Sequence, residues 1–125
     1  MAKNRILIVG LDPHKIEFGS ERGLSAEGVS ATGRATNDKL EGLGHSVETW
    51  LIGPDANEKP LLDLLSRCDF DVILVAAGLR GLPEHTLLFE RIMNVIHRNA
   101  RSATLCFNSK PDNALEAILR HTTDD

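Results

Sequence analysis

Val72-Ile73-Leu74-Val75-Ala76-Ala77-Gly78-Leu79-Arg80-Gly81-Leu82-Pro83-Glu84-His85-Thr86-Leu87-Leu88-Phe89-Glu90 is the stretch whose reading decides the fold. Val72 to Ala76 is aliphatic without polar alternation, the pattern of a strand buried on both faces. Gly78 and Gly81 break it, and Pro83 suits a first helical turn, where a missing N–H costs nothing. From there to Ala100, apolar residues recur at helical spacing. At about 100° per residue, Leu88, Phe89, Ile92, Met93, Val95, Ile96 and Ala100 fill one arc, and His85 falls near its middle. A strand, a glycine-bearing turn and a helix form the repeating unit of a parallel α/β sheet.

The same unit recurs on either side. Ile6-Leu7-Ile8-Val9 is a second apolar strand, which Gly10 is expected to end. A long loop from Leu11 to Leu24, rich in charge and glycine, follows it, and loops of that length are commonly functional or disordered. Ser25 is a candidate N-cap for a helix reaching Leu43, with Val29, Thr36, Leu40 and Leu43 on one face and Gly44 as its stop. Gly28 and Gly33 weaken the first half of that helix, and a rival reading leaves 30–34 as loop. Val47 to Ile52 is more polar and reads as an edge strand. Asn57 can cap a helix from Glu58 to Cys68 with Leu61, Leu62, Leu64 and Leu65 as its stripe. Ala103 to Phe107 is a fourth strand. A final helix from Pro111 or Asp112 turns Leu115, Ile118 and Leu119 inward, and the tail from Thr122 to Asp125 is expected to fray.

Parallel strands joined by helices cross over right-handed, and the two most apolar strands belong in the middle. The expected order is 2-1-3-4, a trimmed flavodoxin-like sheet with helices on both faces. At 125 residues the chain reads as one such domain. Its net charge of −4, its lack of a basic cluster and its single Trp with no Tyr argue against nucleic acid as a partner. No apolar run has the roughly 20 residues that cross a bilayer. The N-terminus shows no signal-peptide cleavage pattern. Cys68 and Cys106, in no metal-ligand spacing, read as reduced thiols of a cytoplasmic protein.

Ligands of such sheets sit beyond the carboxyl ends of the strands, where the winding reverses. That rule singles out Asp12, His14, Gly78, Arg80, His85 and Asn108 as lining residues. Asp12 and His14 follow the first strand and, with His85, could form an acid/base set; alternatively, Asp12 starts a turn by accepting nearby N–H groups. Arg80 could clamp a phosphate or carboxylate, or stand solvated. His85, at a helix start that favours anions, faces either a ligand or the core. Asn108 could donate to a ligand, while Ser109 and Asp112 have the spacing of a capping box. On the outer face of helix 84–99, Leu87, Glu90, Asn94 and His97 line up as a solvated face or a homodimer contact.

Several families of this architecture can be tested on these residues. A response-regulator receiver needs an aspartate where Ala76-Ala77-Gly78 stands. Flavodoxins carry a T-x-T-G-x-T loop directly after strand one, whereas Ser30-Ala31-Thr32-Gly33-Arg34-Ala35-Thr36, which echoes it, stands far past that position. Few aromatic residues are present to sandwich a flavin, and no G-x-G-x-x-G follows strand one, so neither FMN nor NAD is supported. Asp12-Pro13-His14 resembles the start of the D-x-H-x-x-G motif of cobalamin-binding domains, whose histidine coordinates cobalt, and Leu43-Gly44-His45-Ser46-Val47 resembles their helix-to-strand junction. Glu17 replaces the motif's glycine, Ala77 replaces a turn hydroxyl, and no Gly-Gly follows strand four. The chain as a whole resembles a group of small bacterial proteins of no assigned activity, through Gly10-Leu11-Asp12-Pro13, Pro83 to Glu90, and Cys106-Phe107-Asn108. That resemblance implies a flavodoxin-like fold and a cytoplasmic setting. The expected function is binding of a polar or anionic small molecule, with a noncatalytic homodimeric module or a cobalamin-binding-like domain as alternatives. Any chemistry would be acid/base or hydrolytic with His14 or His85 as base, and no cofactor follows from the residues.

Overall fold

The computed structural model describes residues 3–12, 14, 25–53, 57–79 and 83–122. Four parallel strands, β1 (Arg5–Leu11), β2 (Ser46–Ile52), β3 (Val72–Val75) and β4 (Thr104–Phe107), form one sheet in the order β2-β1-β3-β4. The helices are α1 (Ala26–Gly42), α2 (Lys59–Arg67), α3 (Thr86–Asn99) and α4 (Ala114–Leu119). The layout is flavodoxin-like, as the apolar patterning predicts. The central pair, β1 and β3, joins Ile6 to Val72 and Val9 to Val75.

Strand alternation sorts the core into two layers. Leu7, Val9, Leu11, Ile73 and Val75 point to α2 and α3, meeting Leu61, Leu64, Leu65, Leu88, Ile92 and Ile96. Ile6, Val72, Leu74 and Cys106 point the other way, to Leu40 of α1 and Ala114, Ala117 and Ile118 of α4. Helices therefore cover both faces, which is why β3 can be buried along its whole length. At the N-terminal edge, Arg5 and Asp71 tie the central strands together. The Arg5 amide donates to the Asp71 carboxylate at 2.8 Å, and the Asp71 amide donates to the Arg5 carbonyl at 2.8 Å.

Several expectations are revised. β1 does not stop at Gly10 but continues through Leu11, pairing with Ile52. Gly10 is there for room, because a Cβ at that position would stand 3.3 Å from the Ala76 Cβ. α1 is helical from Ala26, so the loop reading of 30–34 fails. Ser25 caps it by accepting from the Gly28 amide at 3.0 Å, and Thr32 and Thr36 return their hydroxyl protons to the carbonyls four residues earlier. Leu43 falls off the buried stripe, since it already belongs to the turn that Gly44 completes at φ 97°. Asn57 is not the N-cap of α2, a place Glu58 takes without a side-chain cap bond; Asn57 stands one residue earlier and accepts from the Lys59 amide at 2.9 Å, and Leu62 points to solvent.

The two helices of the C-terminal half start later than their patterns suggest. Pro83 opens a 3-10 turn, Pro83–His85, before α3, so His85 sits at the N-cap rather than inside the first turn. A second 3-10 turn, Pro111–Asn113, precedes α4, whose inward residues are Ala114, Ala117 and Ile118; Leu119 is exposed. The Ser109–Asp112 capping box does not form. Asn113 takes that role, its Oδ1 accepting from the Ser109 and Lys110 amides at 3.1 and 3.2 Å. Asp112 instead pairs loosely with Lys110 at 3.9 Å. Most of the 11–24 loop, the 80–82 turn and the last three residues of the tail lie outside the described residues.

Candidate functional site

The carboxyl ends of β1, β3 and β4 converge through backbone and packing. The Ala76 amide donates to the Val9 carbonyl at 2.8 Å, carrying the β1–β3 ladder past the end of β3. The chain then turns through a 3-10 segment, Ala77–Leu79, and buries Leu79 against the same core as Leu11. Gly78 is exposed beside this junction. A Cβ there would only reach the Leu11 Cδ1 at 4.0 Å, so packing does not demand glycine. Asn108 links the turn after β4 to the turn after β3. Its Oδ1 accepts from the Ala77 amide at 2.9 Å, and its Nδ2 donates to the Lys110 carbonyl at 2.8 Å. With only 5% of its surface exposed, Asn108 is a buried tie between loops, and its amide is turned toward backbone.

Asp12 and His14 take the turn chemistry that an Asp-Pro step favours. The Asp12 amide donates to the Ile52 carbonyl at 2.9 Å, and its Oδ1 accepts from the His14 amide at 3.0 Å. The His14 ring lies against α1, with Nε2 at 3.3 Å from the Ser30 hydroxyl. Ser30 is the residue that loop-based reasoning missed. It lies on the second turn of a helix, and no spacing rule connects it to His14 across so long a loop. A hydroxyl beside an imidazole is the start of a nucleophile–base pair. Here the Asp12 carboxylate holds the His14 backbone rather than its ring, so it does not act as the third member of a triad.

His85 stands elsewhere. It heads α3, on the opposite face of the sheet from α1, is 8% exposed, and forms no side-chain cap bond. Among the described residues its ring has no hydrogen-bond partner. His14 therefore belongs to the α1 face and His85 to the α3 face, with the joined turns between them. Arg80 lies outside the described residues. Among the described residues no group of three or more histidines, cysteines or carboxylates could hold a metal ion. Leu87, Glu90, Asn94 and His97 are all exposed along the outer face of α3.

One thiol is chemically distinctive. Burial pushes Cys106 up from 9.0 to about 11, and the nearby Arg120 guanidinium opposes that rise without cancelling it. A thiol so placed is a packing residue rather than a nucleophile. His45, at the amino edge of β2, is buried with Nδ1 lacking a partner among the described residues, at the opposite end of the sheet from the joined turns. No helix among the described residues is long and apolar enough to cross a membrane. No known family, curated protein or solved structure matches the chain.

Proposed function

We propose that the protein binds a polar or anionic small molecule in the crevice where the turns after β1 and β3 meet the head of α3. The observation that carries this reading is His85, a buried imidazole at a helix start with no hydrogen-bond partner among the described residues. The ring nitrogens of His85, unlike Nδ1 of His45, are not sealed from solvent, so a ligand that accepts or donates at this ring can reach them. The first turn of α3 adds unpaired N–H groups that favour negative charge. Asp12, Gly78 and Asn108 border the crevice. Asn108 acts mainly by fixing the two turns, and Arg80 is the natural clamp for an anion. Chemistry, where there is any, is acid/base or hydrolytic with His85 or His14 as base. Two unpaired thiols fit a cytoplasmic setting.

The test is a thermal-shift screen of the intact chain against nucleotides, phosphosugars, cobalamins and flavins. A ligand in the crevice raises Tm, and His85→Ala abolishes that rise while changing intrinsic stability by only about 1 kcal/mol. Loss of the fold in His85→Ala would make the histidine a core residue and end the proposal.

One observation favours a second reading, a noncatalytic homodimer through the outer face of α3. Leu87 is 69% exposed there, the most exposed of the large apolar side chains among the described residues. A monomeric mass by light scattering at high concentration would exclude it.

A further inference from the structure

A second concavity lies outside that crevice, between the exit of β4 and α4. It is an open groove of about 280 Å³, walled by Phe107, Asn108, Ser109, Asn113, Glu116, Ala117 and Arg120. Its polar groups are unequally committed. Asn113 is largely engaged, its oxygen on two backbone amides and one Nδ2 proton donated to the Ser109 hydroxyl oxygen at 2.7 Å. That bond uses a lone pair of Ser109 and leaves the hydroxyl proton without an acceptor among the described residues. Arg120 and Glu116 stand one helical turn apart, the spacing at which opposite charges normally pair. Neither forms an ion pair among the described residues. The groove thus presents three unspent groups, a guanidinium fork, a hydroxyl proton and a carboxylate, over a floor of Phe107 and Ala117.

We infer that this groove binds a small carboxylate bearing a hydrogen-bond donor on the adjacent carbon, an α-hydroxy or α-amino acid. The guanidinium matches a carboxylate in bidentate geometry, and the Ser109 proton supplies a third donor. Glu116 accepts from the ligand's hydroxyl or ammonium and repels a second negative charge, which disfavours phosphate. The volume is just below the range of drug-sized pockets, so the ligand is small. This site does not use the head of α3, and it meets the His85 crevice only at Asn108, which ties the turn after β4 to the turn after β3.

Amide shifts of the intact, isotopically labelled chain titrated with L-lactate, L-alanine, acetate and inorganic phosphate test it. Lactate or alanine shifts the Ser109, Asn113 and Arg120 amides saturably in the millimolar range. Acetate binds more weakly, and phosphate leaves these amides unmoved. Arg120→Gln weakens binding at least about tenfold, as loss of one bidentate contact requires, while its spectrum elsewhere stays native because the residue is exposed. Absence of saturable shifts up to about 50 mM, phosphate binding as tightly as lactate, or an Arg120→Gln variant that binds normally would each overturn the assignment. Shifts confined to Asp12, Ala77 and His85 would overturn it too, while supporting the crevice reading.

Discussion

Replacing Asn108 by alanine removes the cross-link between two loops, and its cost can be worked from the structure. At least two hydrogen bonds disappear, one of 2.9 Å from the Ala77 amide and one of 2.8 Å to the Lys110 carbonyl. Each contributes about 1 kcal/mol net, and leaving the half-buried Ala77 amide unpaired adds roughly another 1 kcal/mol. The sum is about 3 kcal/mol. With a urea m-value of about 1.5 kcal/mol/M for a chain of this size, the unfolding midpoint drops by about 2 M. Asn108→Asp separates the two bonds. Its carboxylate still accepts from Ala77, but it faces the Lys110 carbonyl oxygen with no proton to give. Burial and that carbonyl raise its folded pKa above the unfolded value of about 3.9. The penalty is therefore complete above the folded value and shrinks as the pH falls toward the unfolded one, where the protonated acid donates again. An Asn108→Ala midpoint within about 0.3 M of wild type, or an Asn108→Asp deficit that stays constant on acidification, would refute the account.

Two further outcomes are expected. Ser25→Ala removes the oxygen that caps the Gly28 amide and lowers stability by about 1 kcal/mol, with Ser25→Asp close to wild type; thermal unfolding followed by circular dichroism checks both. Cys106, held near 11, carries roughly a hundredfold less thiolate in the folded state than an ordinary thiol at pH 8, so it should resist a disulfide reagent until urea exposes it. The unfolded thiol ionises from about 9.0 and the folded one only near 11. The thiol's contribution to stability is therefore intact below pH 9 and is lost as the pH rises toward 11, and a flat stability profile across that interval would contradict the burial.

The parts of the fold legible from sequence were those set by long-range apolar patterning. Val72 to Val75 and Ile6 to Val9 have no polar alternation, so they could only be central strands, and Val47 to Ile52, with Glu48 and Thr49, could only be at an edge. What escaped was decided by local competition. Asp112 had the right spacing from Ser109 for a capping box, but Asn113 can accept from two amides and donate to a hydroxyl at once, which a carboxylate cannot. Leu119 repeats the helical period, but α4 ends within two turns and its last residue has left the sheet. The candidate site escaped more completely, because the partner of His14 sits across a loop of unpatterned length, and Arg120 and Glu116 acquire meaning only once α4 is laid beside β4.

The two faces of the sheet differ in a way that bears on where chemistry can occur. On the α2/α3 face, leucines and isoleucines from β1, β2, β3, α2 and α3 interlock, and His85 is buried at the head of α3. The α1/α4 face is thinner: α4 contributes Ile118 with two alanines, and α1 offers Leu40 with Thr36. Small side chains let α4 approach Cys106 closely but leave little apolar surface to seal its flank. Polar links take over, from Asn37 to Thr49 at 2.9 Å and from Ser30 to His14 at 3.3 Å. Exposed hydrogen bonds stabilise far less than buried methylenes, so α1 should open before α2 or α3 in native-state hydrogen exchange. That weakness also leaves groups accessible. The His14–Ser30 pair and the Ser109–Arg120 groove both lie on the face where the core is too shallow to bury them.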